Sequence, residues 1–172
     1  RVRTIAISGS DIYAGGSFTT VGGQNRNFIA KLNNTDGSAD PTWNANSNSA
    51  ILAIAISGSD IYAGGEFTTI GGQTRKRIAK LNNTNGNADS IWNPNSNHWV
   101  LTITINGSDI YVGGVFTTIG GRNRNRIAKL NNTDGNANAT WNPSAGNEIL
   151  AIAINGSDIY IGGVFNSVGG LT

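Results

Sequence analysis

The chain has 172 residues, of which 38% are hydrophobic and only 13% charged, a balance that permits a packed core and excludes the composition of a disordered segment. A formal charge of +2 is too small to point to nucleic acid or an acidic surface, and no apolar run approaches the roughly 20 residues a bilayer span requires. Cysteine is absent, which removes disulfides and thiolate metal sites.

The first predicted strand covers residues 4–8, where Ile5 and Ile7 alternate with Ala6 at the period of two that marks a strand. One face carries large side chains and the other small ones, which suits stacked sheets in which a large face packs on a neighbour's small face. Ser8-Gly9-Ser10-Asp11 then reads as a tight hairpin turn. Strand two follows as Ile12-Tyr13-Ala14-Gly15-Gly16; a glycine pair weakens a strand unless something must approach closely, and the rings of Tyr13 and Phe18 are the candidates. Gly22-Gly23 predicts a second turn with positive φ. Strand three is placed at residues 28–32, a turn at 33–37, and a short fourth strand at 42–44 around Trp43. No segment has a 3.6-residue apolar period, so almost no helix is expected.

The whole series returns at a step of 49 residues without insertion or deletion: Tyr13, Tyr62, Tyr111 and Tyr160, or Trp43, Trp92 and Trp141. The chain is therefore read as a single repeat array over residues 1–172, with units 1–49, 50–98 and 99–147 and a partial unit 148–172. Four short antiparallel strands at a period near 50 describe an all-β fold of β-propeller blades, about three and a half of them here. A β-solenoid is the competing repeat fold, but its coils run shorter and lack this series of hairpins. Propellers are normally closed rings, so the array is expected to be part of a longer propeller or to close through other copies of itself. Methionine is absent even at position 1, and the end units are atypical: Arg3 stands where Leu52, Leu101 and Leu150 recur, and Asn166-Ser167 replaces Thr19-Thr20. The chain is accordingly read as processed, excised or part of something longer, with its ends near structural boundaries.

Ile-Tyr-x-Gly-Gly, then Ile-Ala-Lys-Leu-Asn, Asp-Gly and Trp-Asn-Pro resemble the bacterial delta-sixty repeat, a propeller family of unknown function, and more distantly kelch. The resemblance covers the whole chain. It implies four-stranded blades around an axis in secreted or surface bacterial proteins, hence an extracellular or cell-surface location. It implies no shared catalytic residue.

Candidate sites are few. His98 is the only histidine and has no identifiable serine partner, so no catalytic constellation is expected. The recurring Asp11, Asp60, Asp109 and Asp158 read as turn caps. Residues 33–40 superficially resemble a calcium loop but lack alternating carboxylates and a distant Glu, so Asx turns are expected, with no metal and no cofactor. Glycosylation triplets such as Asn33-Asn34-Thr35 read as turn chemistry. Arg26, Arg75 and Arg124 recur and suggest a basic row, taken as a solvated edge because no aromatic side chains interleave with it; nucleic acid is not expected.

The copies differ mainly in the links at residues 46–50, 95–99 and 144–148 and at position 17, which reads Ser17, Glu66, Val115 and Val164 in turn. His98, Trp99, Glu148 and Glu66 are therefore the candidate ligand-binding residues, with glycan or protein as the partner. The expected role is a non-catalytic scaffold or binding module, with self-assembly through the open half blade and lectin-like recognition as alternatives.

Overall fold

The computed structural model describes residues 1–171. The first unit comprises β1 (Val2–Ser8), β2 (Asp11–Gly16), β3 (Thr20–Val21), β4 (Gln24–Asn25) and β5 (Ile29–Asn33). The second repeats it as β6 (Ile51–Ser57), β7 (Asp60–Gly65), β8 (Thr69–Ile70), β9 (Gln73–Thr74) and β10 (Ile78–Asn82). The third follows as β11 (Val100–Asn106), β12 (Asp109–Gly114), β13 (Thr118–Ile119), β14 (Arg122–Asn123) and β15 (Ile127–Asn131), and the partial unit as β16 (Ile149–Asn155) and β17 (Asp158–Gly163). There is no helix among the described residues, so none is long and apolar enough to cross a membrane.

Each full unit is an antiparallel sheet in the order first, second and fifth strand, and the partial unit is the hairpin β16–β17. The register Ser8↔Asp11 leaves Gly9-Ser10 as a two-residue loop, and Gly9 takes φ 58°. Glycine with positive φ at the first loop position is what a type II′ turn demands, and that turn matches the strand twist. Strand three begins one residue later than expected, because Phe28, Arg77 and Arg126 all adopt φ 65°.

The expected fourth strand does not form, so the blades have three ladder strands and not four. Trp43, Trp92 and Trp141 lie outside any strand, and only single bridges such as Leu32↔Ala39 remain of the ladder. The cause is local. The Asp40 carboxylate accepts the amides of Thr42 (2.8 Å) and Trp43 (3.1 Å), which turns the chain where a strand would start. Beyond the turn the segment pairs with the next unit: the Gly71 amide donates to the Ala45 carbonyl and the Asn48 amide to that of Thr69. It is a strut between blades. The Trp43 indole completes it, donating to the Asn82 carbonyl at 3.0 Å, and Trp92 does the same to Asn131 at 2.8 Å.

The core sits between the sheets. In every first strand an extra residue bulges, between Val2 and Thr4 and at each copy, so residues three apart such as Ile51 and Ile54 share a face. Ile51, Ile54 and Ile56 pack against Tyr13 and Ala6 of the first unit, while Ala53, Ala55 and Tyr62 pack against Val100, Ile103 and Ile105 of the third. Large faces thus meet small faces, as the alternation predicts. The first glycine of each pair serves this contact and not the neighbouring rings: a Cβ at Gly15 would fall 2.6 Å from Ile51 Cγ2, and one at Gly64 would fall 2.5 Å from Val100 Cγ1, whereas one at Gly16 would strike the Arg1 carbonyl of its own blade. First strands stand side by side, β1 with β6, β6 with β11 and β11 with β16, and the Thr104 hydroxyl donates across to the Ile152 carbonyl at 2.8 Å. The result is an incomplete β-propeller.

Candidate functional site

In the full units the repeated Asp, Lys, Arg and Tyr side chains are engaged by the fold, whereas Tyr160 of the partial unit is 57% exposed. Asp11 is not the turn cap expected of it. Its carboxylate lies 3.0 Å from Lys31 Nζ, and Asp60 lies 2.9 Å from Lys80. The register decides this: Tyr13 stands opposite Lys31 and Asp11 opposite Asn33, so Asp and Lys are diagonal neighbours on one face. Lys31 also approaches Asp40 at 3.7 Å. Burial acts to raise the Asp40 carboxyl, but hydrogen bonds from Thr42 and Trp43 and the Lys31 charge outweigh it and hold the group below its usual range. Asp89 is lowered in the same way by Trp92, Ile91 and Lys80. Residues 33–40 form the expected Asx turns, with the Thr35 amide donating to Asn33 Oδ1 and that of Ser38 to Asp36 Oδ1. No three His, Cys, Asp or Glu side chains converge among the described residues.

The basic row is not a solvated edge. Arg26, Arg75 and Arg124 are buried, and their guanidinium groups hold backbone carbonyls. Arg26 donates to Asn25 O at 2.8 Å and Asp40 O at 2.6 Å, and Arg124 donates to Asn123 O and Asn138 O, each at 2.6 Å. Each arginine ties the β3–β4 type of hairpin to the start of the strut, which is why the fold buries it. Tyr13 and Tyr62 are buried against Trp43 and Trp92 with ring centroids 5.4 and 5.2 Å apart. Burial first, then the nearby carboxylates, pushes both phenols up to about 12, so they stay protonated at neutral pH.

The variable positions share one rim. In each unit the amide of position 17 or its copy donates to the carbonyl at the start of the first strand: Ser17 to Arg1, Glu66 to Ala50, Val115 to Trp99, and Val164 to Glu148, at 2.7 to 3.0 Å. Glu66, Trp99 and Glu148 therefore occupy the same level on three successive blades. Of the four candidates only His98 and Trp99 touch, with ring centroids 5.2 Å apart and the Trp99 amide donating to His98 Nδ1 at 2.9 Å. Trp99 is 41% exposed. None of the four lines the cleft at the third junction.

A cleft of about 470 Å³ lies at the third junction, lined by Asn125, Arg126, Ser144, Gly146 and Ser167 among others. Its origin is a substitution between copies. At the earlier junctions Asn48 and Asn97 plug this place, each accepting two amides, from Thr68 and Thr69 or from Thr117 and Thr118. Gly146 takes the corresponding position and carries no such amide, and a Cβ there would fall 2.5 Å from Ser167 Oγ and 3.1 Å from Asn166 Oδ1. The sequence reading missed this cleft, although the change from Asn to Gly at a fixed place in the unit is its signal.

A family profile described as a domain of unknown function (DUF5122) beta-propeller matches residues 11–42, 60–90 and 109–140, together more than half of the chain. The chain belongs to this β-propeller family. The three matched segments each run from the start of the second strand to the beginning of the strut, so the family signature follows the blade found here. No curated protein is significantly similar in sequence. Among solved structures, the computationally designed Ika4 protein superimposes with a TM-score of 0.65 at 11% identity, over 94% of this chain and 84% of that one. The computationally designed Ika8 protein superimposes with a TM-score of 0.52 at 12% identity, over 99% of this chain and 56% of that one. At these identities the likeness concerns the fold alone.

Proposed function

We propose that this β-propeller chain is a non-catalytic scaffold that presents variable side chains on one rim of a rigid blade array. One observation carries the reading. The repeated Asp, Lys, Arg, Tyr and Trp side chains are committed to contacts within and between blades, whereas copy-to-copy variation collects at the rim positions 50, 66, 99 and 148. Loops and edges on a rigid frame are where propellers vary their recognition. The buried arginines are occupied by carbonyls and are not free for phosphate, which argues against a nucleic-acid partner. We place the module on a secreted or cell-surface bacterial protein, with the delta-sixty resemblance as the support.

The exposed indole of Trp99, flanked by His98, favours a second reading in which the rim binds carbohydrate by ring stacking. A glycan array with the wild-type chain and Trp99→Ala separates the two. Binding that Trp99→Ala abolishes establishes the lectin reading; no binding on the array supports the scaffold. Turnover of a substrate by the isolated chain refutes both.

A further inference from the structure

Two of the variable rim positions meet across the second junction. Val100 is seated over Gly64, where a Cβ would fall 2.5 Å from Val100 Cγ1. Trp99 precedes Val100, and Glu66 follows the pair Gly64-Gly65. Both lie at the same end of their blades, because Gly65 pairs with Ile51 and Gly114 with Val100. Glu66 and Trp99 therefore stand next to one another on the rim, one on each blade. The same places hold Ser17 and Ala50 at the first junction and Val115 and Glu148 at the third, so only the second joins a carboxylate to an aromatic ring. Neither group is consumed by the fold. Trp43 and Trp92 are buried and donate to the next blade, whereas Trp99 is exposed, with His98 held against it by the bond from its own amide. Asp11, Asp40, Asp60, Asp89 and Asp109 lie against lysines, and Asp36 and Asp134 accept turn amides. No ion pair or hydrogen bond engages the Glu66 carboxylate among the described residues. Arg77, whose carbonyl accepts the Gly65 amide beside it, sends its guanidinium to the Ser96 carbonyl at 3.4 Å instead.

We propose that Glu66 and Trp99 form a site for a cationic side chain, that of a lysine in a basic segment of a partner protein. The indole face attracts a cation through its quadrupole, and the carboxylate supplies the opposite charge and a hydrogen-bond acceptor. Neither gives up an internal contact to do so. A neutral sugar would use the ring and leave the charge unanswered, and an acidic ligand would meet Glu66 charge against charge. The two groups come from different blades, so the site is a property of the junction and not of either blade alone. The inference rests on the reading of the rim as the variable recognition surface and adds the chemistry of what one part of it takes.

Titration of the nitrogen-15-labelled chain with hexalysine, followed at the Trp99 indole N–H resonance, tests it. The expected result is a saturable shift that weakens as salt is raised, with hexaglutamate producing none. Glu66→Gln removes the charge and keeps the shape, and Trp99→Leu removes the ring. Each is expected to weaken hexalysine binding by roughly tenfold in calorimetry, with an unchanged circular dichroism spectrum. Hexalysine that leaves the Trp99 resonance in place overturns the proposal, as does a Glu66→Gln chain that binds as tightly as the wild type. Glycan binding that depends on Trp99, in a chain that ignores hexalysine, overturns this inference alone and leaves the rim reading standing.

Discussion

Replacing Trp92 by Ala removes a side chain that is fully buried, stacked edge-on against Tyr62 and hydrogen bonded at 2.8 Å to the Asn131 carbonyl of the following blade. Truncating a buried Trp costs about 3–5 kcal/mol through lost transfer energy and the cavity left behind. Trp141 is the same residue at the same place in the third unit, and supplies an internal control. It keeps its edge-on contact with Tyr111 at 5.4 Å, but it is only partly buried, and its indole meets no acceptor among the described residues. Trp141→Ala should lose the aromatic pair and partial burial, about 1–2 kcal/mol. The two substitutions are chemically identical, so the gap of about 2 kcal/mol or more isolates what reaching the next blade contributes. Urea unfolding followed by far-ultraviolet circular dichroism, at a concentration where the chain is monomeric, measures both. Equal losses would refute the role of Trp as a strut between blades and return it to the core of its own blade.

Arg75→Ala removes the donor that serves Thr74 O, Gln73 Oε1 and Asp89 O, acceptors that are exposed or half-buried, and should lower stability by roughly 1–3 kcal/mol in all; Arg75→Lys should recover only part, because an ammonium lacks the planar fork, and thermal melts of the two variants check this. Asp40 and Asp89 are held below their unfolded values, so the stability they add is complete above the unfolded carboxylate pKa of about 3.9 and is lost as pH falls through the lower folded value. The double variant Asp40→Asn, Asp89→Asn should therefore show a shallower loss of melting temperature on acidification, while keeping the turn, since Asn138 already accepts the Thr140 and Trp141 amides at 3.1 and 2.9 Å. Gly146→Asn combined with Asn166→Thr requires Ser167 Oγ, 2.5 Å from a Cβ at 146, to turn aside; with that rotation it should restore up to three hydrogen bonds worth about 0.5–1.5 kcal/mol each, and a fall in melting temperature would contradict the account of the cleft's origin.

The strands and their stacking were legible because both follow from period-two patterns within a few residues. Ile5 and Ala6 need no distant partner to be assigned to opposite faces, and the 49-residue step carries that assignment to every copy. The strut was not legible. Whether residues 42–44 form a strand depends on where their amides go, and Asp40 captures two of them before a neighbouring strand can. The buried arginines were hidden for a related reason. Arg26 looks like a surface residue beside a turn, and only the convergence of carbonyls from residues 25 and 40 makes its burial favourable. Asp11 was misread because its partner is set by the register of β2 against β5, which places Lys31 two positions away across the ladder.

Comparison between copies separates fold from recognition in a way that single residues do not. In the full blades a side chain kept at the step of 49 has a neighbour to satisfy, as Tyr13, Lys31, Trp43 and Arg26 do. A side chain that changes has been released from such duty, and its position then matters more than its chemistry. Glu66, Trp99 and Glu148 change at places linked by one conserved backbone hydrogen bond, so their replacement alters the rim without altering the blade. Gly146 changes inside a junction, so the same kind of variation opens a cleft between blades. Two sorts of surface thus arise from one repeat: a rim that can be rewritten freely, and junctions where each rewriting reshapes the space between neighbours.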